Sequence, residues 1–130
     1  MPKANNIVIK NAAGADKTLT LIAPAAGYGS LAEWKLKLGA IVGAFPTLTL
    51  LARKTGNRSQ VSQLKFTMPS SYVDTTTGRT HVGVAAQMNA TFSMPDEFPE
   101  SSRDDFAAYC GNIVKDAIVT ASYRDGHPAT

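Results

Sequence analysis

The chain has 130 residues, 44% of them hydrophobic and 18% charged, which excludes a wholly disordered protein and allows one domain with a core. The single cysteine, Cys110, excludes an intrachain disulfide and a cysteine-based zinc site, and no apolar run approaches the roughly 20 residues that span a bilayer. The N-terminal residues lack the apolar core of a signal peptide, which predicts synthesis in a cytosol. We therefore expect one domain over residues 1–130, without a cofactor and without a membrane partner.

The formal net charge is only +3, but the charges are unevenly distributed. Between Trp34 and Pro95 the sole acidic residue is Asp74. The basic residues of the same stretch are Lys35, Lys37, Arg53, Lys54, Arg58, Lys65 and Arg79. The acidic residues beyond it are Asp96, Glu97, Glu100, Asp104, Asp105, Asp116 and Asp125. A basic middle and an acidic end predict one surface that faces a polyanion and another that faces away from it.

The N-terminal part of the chain predicts a β-hairpin. Residues 6–10 make a short apolar strand, residues 11–16 supply turn-forming side chains, and residues 17–22 alternate polar and apolar side chains. Residues 30–38 are ambiguous, because they begin with the spacing of a helix capping box, whereas apolar residues alternate with lysines from Trp34 onward. The alternation favours a short strand.

Three clearer strands follow, over residues 47–53, 61–68 and 82–94. A turn at residues 56–57 separates the first two. Because successive strand residues point to opposite faces, these strands predict a sheet with one apolar face and one polar face.

Two prolines and a late helix complete the pattern. Pro69 and Pro95 are expected to end the second and third of these strands, because proline cannot donate to the hydrogen-bond ladder. Residues 70–80 then form a polar loop. Apolar residues recur at helical spacing after a capping serine at 101 or 102, and the helix is expected to end near residues 122–124.

The predicted fold class is α+β, with an antiparallel sheet, an N-terminal hairpin and a C-terminal helix or helices. Six strands make a sheet about 29 Å wide, whereas one helix covers only about 10 Å. A single chain would leave a large apolar surface exposed, which soluble monomers rarely do. We therefore expect an obligate homodimer in which the partner's helix covers the sheet.

We call the opposite, hydrophilic surface of the sheet the polar face. By strand parity its members are Thr47, Thr49, Arg53, Gln63, Lys65, Thr67, Gln87, Asn89 and Thr91. Amides and hydroxyls can contact base edges and the two cations can pair with phosphates, and the three strands place no carboxylate on this face. An ordinary solvated face rich in threonine remains an equal alternative on composition alone. The absence of acidic residues favours RNA.

Several segments, taken in order, resemble the coat proteins of single-stranded RNA bacteriophages, the leviviruses. The segments are residues 29–34 (GSLAEW), 48–55 (LTLLARKT), 64–69 (LKFTMP), 74–80 (DTTTGRT) and 87–92 (QMNATF). The resemblance implies a dimer whose two sheets join edge to edge, with the helices of each subunit across the partner's strands. It further implies T=3 icosahedral assembly in a virion that is made in the cytoplasm of a bacterial host.

The resemblance also implies partners and site residues. The partners would be single-stranded genomic RNA, including an operator hairpin whose binding represses replicase translation, and a maturation protein. The RNA-facing residues would be those of the polar face, where Thr49 is similar to an adenine-pocket threonine of the family. Contacts between dimers would come from the loop residues Asp74, Thr75, Thr76, Thr77, Gly78 and Arg79.

Two other classes of function are alternatives to a coat protein. An enzyme is disfavoured, because His81 and His127 are the only histidines and no nucleophile, phosphate-loop or metal motif surrounds them. Cys110 lies among apolar residues at helical spacing, which is typical of a core thiol. A cellular, dimeric nucleic-acid-binding module that forms no shells is the stronger alternative, and imaging of the expressed protein distinguishes it from a coat protein.

Overall fold

The computed structural model describes residues 3–37, 41–56 and 58–130. It contains an antiparallel sheet whose spatial order follows the sequence: β1 Ile7–Lys10, β2 Asp16–Ala23, β3 Leu31–Lys35, β4 Thr47–Thr55, β5 Ser59–Val73 and β6 Thr80–Pro95. A short 3-10 helix, Val42–Ala44, precedes β4, and two helices follow the sheet: α1 Glu100–Lys115 and α2 Ala117–Asp125. The predicted α+β class is confirmed. The chain divides into two compact units, residues 1–95 and 96–130, and a single domain over residues 1–130 stays a prediction.

The N-terminal hairpin is confirmed. Strands β1 and β2 pair from Ile7 opposite Leu19 to Lys10 opposite Asp16. Asn11 closes the turn, because its side-chain oxygen accepts a hydrogen bond of 2.9 Å from the Ala15 amide. The Lys10 ammonium lies 3.0 Å from the Asp16 carboxylate at the base of the turn, on the protein surface.

The core of the sheet unit lies on the apolar side of β2 and β3. Leu19 is only 2% exposed, and Ala32, Trp34 and Leu36 are also buried around it. The indole Nε1 of Trp34 donates a 2.8 Å hydrogen bond to the backbone oxygen of Asn5. Both β1 and β4 contribute side chains to this cluster although they are three strands apart in the pairing order, so the sheet curls around it.

Strand β3 confirms the strand prediction for the ambiguous segment. Its apolar residues Ala32 and Trp34 point into the core, and burial on one face outweighs the capping-box spacing. Ser30 does not cap a helix: its hydroxyl accepts a 3.0 Å hydrogen bond from the Ala26 amide in the preceding loop. Leu38, the last residue of the predicted strand, lies outside the described residues.

The β5–β6 hairpin extends well beyond the predicted boundaries. Pro69 does not end its strand, and the predicted loop over residues 70–80 shrinks to residues 74–79. The register shifts between Pro69 and Ser71, so that one residue of β5, Ser70, faces two residues of β6. This β-bulge adjoins the proline, which is where a strand tolerates a missing donor. Pro95 ends β6 as predicted. Asn57 of the predicted turn at residues 56–57 lies outside the described residues.

Gly83 lies in this bulge and leaves no room for a side chain. A Cβ atom there would be 2.7 Å from the Ser70 hydroxyl, which itself donates a 2.7 Å hydrogen bond to the Val84 oxygen. We expect Gly83→Ala to lower the free energy of unfolding by about 1 kcal/mol, because Ser70 must give up that bond. In Gly111→Ala the new Cβ meets nothing within 4 Å in a helix interior, and we expect a gain of about 0.5–1 kcal/mol. Urea unfolding measures both changes in the free energy of unfolding. A Gly83→Ala variant as stable as the unaltered protein would contradict the packing argument.

The C-terminal unit consists of two helices, α1 and α2, where the predicted fold class left open one helix or more. Helix α1 begins after Pro99, and no side chain caps it, so the predicted serine cap at Ser101 or Ser102 is wrong. Asp116 has extended backbone angles, and its carboxylate accepts a 2.9 Å hydrogen bond from the Ile118 amide, which ends α1 and caps α2. Gly126 then ends α2 in a left-handed conformation with φ of 72°.

The described helical residues include none that is buried. Ile113 is 59% exposed, and Tyr109, Ile118 and Tyr123 are exposed to a similar degree. Within the described residues, neither helix is long and apolar enough to cross a membrane. Exposed apolar side chains at helical spacing are typical of a surface that another surface covers.

Candidate nucleic-acid interface

The polar face is built from aligned rows across three strands. In β4, β5 and β6 the register places Thr49, Lys65 and Asn89 side by side. One row beyond lie Thr47, Thr67 and Gln87, and on the other side lie Leu51, Gln63 and Thr91. Arg53 begins the next row, opposite Val61. The nine residues predicted from strand parity therefore share one surface, because pairing without a shift over this part of the sheet keeps every strand in phase.

A shallow depression of about 270 Å³ lies in the middle of this surface. Its lining residues are Leu31, Thr49, Leu51, Gln63, Leu64, Lys65, Asn89, Ala90 and Thr91. Five of the nine predicted residues thus surround one cavity, whereas Thr47, Arg53, Thr67 and Gln87 lie outside its lining. Hydroxyl, amide and ammonium groups border it, and Leu31 and Leu51, which pair on this face, give it an apolar wall. Such a mixture suits a flat aromatic ring with polar edges.

The side chains around the depression are available for binding. Gln63, Lys65, Asn89 and Thr91 are exposed, and Thr49 is half-buried between its neighbours. Thr47 is partly engaged, because its hydroxyl donates a 3.3 Å hydrogen bond to the Phe45 oxygen. The polar groups of the depression are therefore accessible to an external partner.

Strand β3 adds residues that the sequence prediction left off the polar face. Leu31, Glu33 and Lys35 lie opposite Leu51, Thr49 and Thr47, respectively. Glu33 gives the surface a carboxylate from β3, outside the three strands for which the sequence predicted none. The Lys35 ammonium lies 3.8 Å from the Glu33 carboxylate, and both side chains are about two-thirds buried. The alternation of residues 31–35 was the signal that could have placed Glu33 here.

Asp74, the first residue of the loop between β5 and β6, stabilises the loop through three hydrogen bonds. The Asp74 amide donates to the Arg79 oxygen at 2.8 Å, and the Asp74 carboxylate accepts from the Thr76 amide at 2.8 Å. The Asp74 backbone oxygen accepts from the amide of Gly78, whose φ is 69°. A hydroxyl of Thr77 accepts from the Arg79 amide at 3.4 Å. Except for half-buried Asp74, the loop residues predicted to contact other dimers are exposed on this tight turn.

Other features of the chain offer little chemistry. A second depression of about 380 Å³ lies along α2 and the residues after it and is lined mainly by alanines, Ile118 and Pro128. His81 Nε2 lies 3.8 Å from the Asp74 carboxylate on the surface, and Cys110 is half-buried in α1. Within residues 3–37, 41–56 and 58–130, no three histidine, cysteine or acidic side chains gather as metal ligands would.

Comparisons with known proteins find similar structures but no match to a family model or to a curated protein. The virus-like particle of bacteriophage NT-214 shares 19% sequence identity with a TM-score of 0.83, and the match covers 99% of this chain and 100% of that one. The virus-like particle of Beihai levi-like virus 21 shares 18% identity with a TM-score of 0.84, covering 99% of each chain.

The chain has the levivirus coat-protein fold.

The capsid protein of bacteriophage GA carries the same fold, with 15% identity, a TM-score of 0.72 and coverage of 93% of this chain and 94% of that one. The levivirus coat-protein fold explains why the sequence resemblance rested on an ordered series of strands and turns. At identities of 15–19%, few side chains are shared and the succession of elements is what remains. The matches extend over the hairpin, the sheet and both helices.

Proposed function

We propose that this chain is a structural capsid protein that dimerises, assembles into a closed shell and binds RNA on its polar face. The observation that carries the proposal is the fold shared over 99% of the chain with proteins that form virus-like particles. The proposed location is a virion, built in the cytoplasm of a bacterial host. The shell has icosahedral symmetry, with T=3 as the proposed arrangement, and a maturation protein of the same virus is a further proposed partner.

Dimerisation is supported by what one chain leaves uncovered. Met68, Val84 and Met88 are exposed in the β5–β6 region, and the helical unit carries exposed Tyr109 and Ile113. Strand β6 has 16 residues and lies at one edge of the sheet. A long edge strand with free backbone groups is a template for pairing with another strand. Two β6 strands that pair would join both sheets, and the helices of each chain would cover the partner's apolar surface.

RNA binding is supported by the chemistry of the polar face. Lys65 and Arg53 provide cations for phosphates, and Gln63 and Asn89 provide amides that can both donate to and accept from base edges. Bases of single-stranded RNA are free to enter a depression such as the one beside Thr49. The proposed ligand is single-stranded genomic RNA, including an operator hairpin whose binding represses replicase translation. The proposed contacts between dimers come from the loop over residues 74–79.

Electron microscopy of the expressed protein tests assembly. We expect closed particles from the unaltered chain. Ile113→Asp should prevent particle formation, because it places a charge on an apolar position of α1 that a partner would bury. Asn112→Asp is the matched control, since it adds the same charge one residue away at a polar position, and it should still assemble. Discrete dimers from the unaltered chain would favour the cellular nucleic-acid-binding module and contradict the capsid role.

A further inference from the structure

We propose that Glu33 determines base specificity on the polar face by accepting hydrogen bonds from the amino group of a base in the neighbouring depression. The inference rests on the proposed RNA binding and adds to it the class of base preferred. Adenine, cytosine and guanine carry an exocyclic amino group, whereas uracil does not. The polar face therefore discriminates against uracil at this position.

The register of β3 brings Glu33 to the rim of the depression. Glu33 lies directly opposite Thr49, in the row that continues to Lys65 and Asn89. Cross-strand neighbours on one face have Cβ atoms about 5 Å apart, and Leu31, two residues away on the same face, is about 7 Å along the strand. Thr49 and Leu31 both line the depression. A base that contacts these two residues lies within reach of the Glu33 carboxylate.

The carboxylate is incompletely satisfied by the protein. Its nearest cation, the Lys35 ammonium, is 3.8 Å away, which is longer than a charge-assisted hydrogen bond of about 2.8 Å. The side chain is only 32% exposed, so water solvates it incompletely. An ionised carboxylate accepts hydrogen bonds and donates none. The partner that fits it is a donor, and the donors on the edge of a nucleobase are its amino and imino groups.

The same carboxylate disfavours uracil. The one donor on the pairing edge of uracil, N3–H, lies between the O2 and O4 acceptors, so uracil brings a carbonyl oxygen against the Glu33 carboxylate in a partly buried site. A backbone phosphate would likewise be repelled. The cations that attract phosphate are Lys35, two residues along β3, and Lys65, two strands away in the row that runs through Thr49. Glu33 thus directs phosphates to the lysines and leaves its own position for an amino group.

The test compares short oligoadenylate, oligocytidylate and oligouridylate of equal length, bound to coat-protein dimers and measured by fluorescence anisotropy. We expect the unaltered protein to bind the adenine and cytosine oligomers about tenfold more tightly than the uracil oligomer. Glu33→Gln should reduce this ratio to about one, because an amide donates to uracil carbonyls as readily as it accepts from amino groups. Glu33→Asp keeps the charge but withdraws the carboxylate by one methylene, and it should also lower the ratio.

Asp16→Asn is the control for charge alone, since it removes one exposed carboxylate from the N-terminal hairpin, and its ratio should stay at the unaltered value. If Glu33→Gln strengthens binding of all three oligomers by one common factor, Glu33 acts only by repelling phosphate and the inference is overturned while RNA binding stands. If the unaltered protein binds none of the oligomers, the proposed RNA binding and the inference are both overturned.

Discussion

Replacing Trp34 with alanine is expected to lower the free energy of unfolding by about 3–5 kcal/mol. Trp34 is 5% exposed and packs beside Leu19, the most buried side chain of the described core. The cluster is small, so the cavity left by an indole has few neighbours that could move in to fill it. The substitution also leaves the Asn5 oxygen without the donor that now lies 2.8 Å from it.

Such a loss is a large fraction of the stability of an ordinary domain, about 5–15 kcal/mol. Urea unfolding at one fixed protein concentration measures it, because the stability of the proposed dimer would depend on concentration. Trp34→Phe keeps most of the packing and loses the hydrogen bond, so a smaller destabilisation is expected. Val8→Ala is the matched control: Val8 is exposed on β1, and its replacement should change stability by less than about 0.5 kcal/mol. A Trp34→Ala variant as stable as the Val8→Ala variant would show that the core lies elsewhere.

Lys65→Glu is expected to weaken RNA binding by about tenfold or more at low salt while dimers persist. Lys65 stands in the central row of the polar face, between Thr49 and Asn89, and it is exposed. Reversing its charge removes an attraction to phosphate and adds a second carboxylate, which repels phosphate, to the row that already holds Glu33. The plot of log affinity against log salt concentration should also become shallower by about one unit.

The measurement has two parts. Filter binding at several salt concentrations gives the affinity and its slope, and the absorbance ratio of purified particles gives the RNA content. Lys10→Glu is the matched control, because Lys10 lies on the N-terminal hairpin, away from β4 to β6, and its reversal should leave RNA content unchanged. RNA content that stays constant in Lys65→Glu particles would remove the polar face from the proposed binding site.

The sequence predicted the polar face well because strand alternation is a local property. Thr49, Lys65 and Asn89 were assigned to one surface by parity alone, and the register aligns them in a single row. Parity fails at the start of the predicted strand over residues 82–94, where Val82 lies opposite Ser71, beyond a shift in register. A bulge of one residue at Ser70 and Gly83 reverses the phase, and hydrogen bonding between two strands, rather than either strand alone, creates it.

The predicted boundaries of several elements also differ from those in the structure. Pro69 lies inside a 15-residue strand because it adjoins the bulge, where a strand tolerates a residue without a backbone N–H donor. The number of C-terminal helices was left open by the sequence, because apolar spacing continues through Asp116 and only the extended backbone of Asp116 separates α1 from α2. The sequence did not place Glu33 on the polar face, because that placement depended on whether residues 30–38 formed a helix or a strand.

By itself the sequence determined which side chains alternate, and so that the sheet has an apolar and a polar surface, because neighbouring residues of a strand point in opposite directions whatever the rest of the chain does. Only the tertiary structure decided which strands lie side by side, since pairing joins residues far apart in sequence. That pairing set the row from Glu33 to Asn89 and surrounded one depression with a lysine, two amides, two threonines and three leucines.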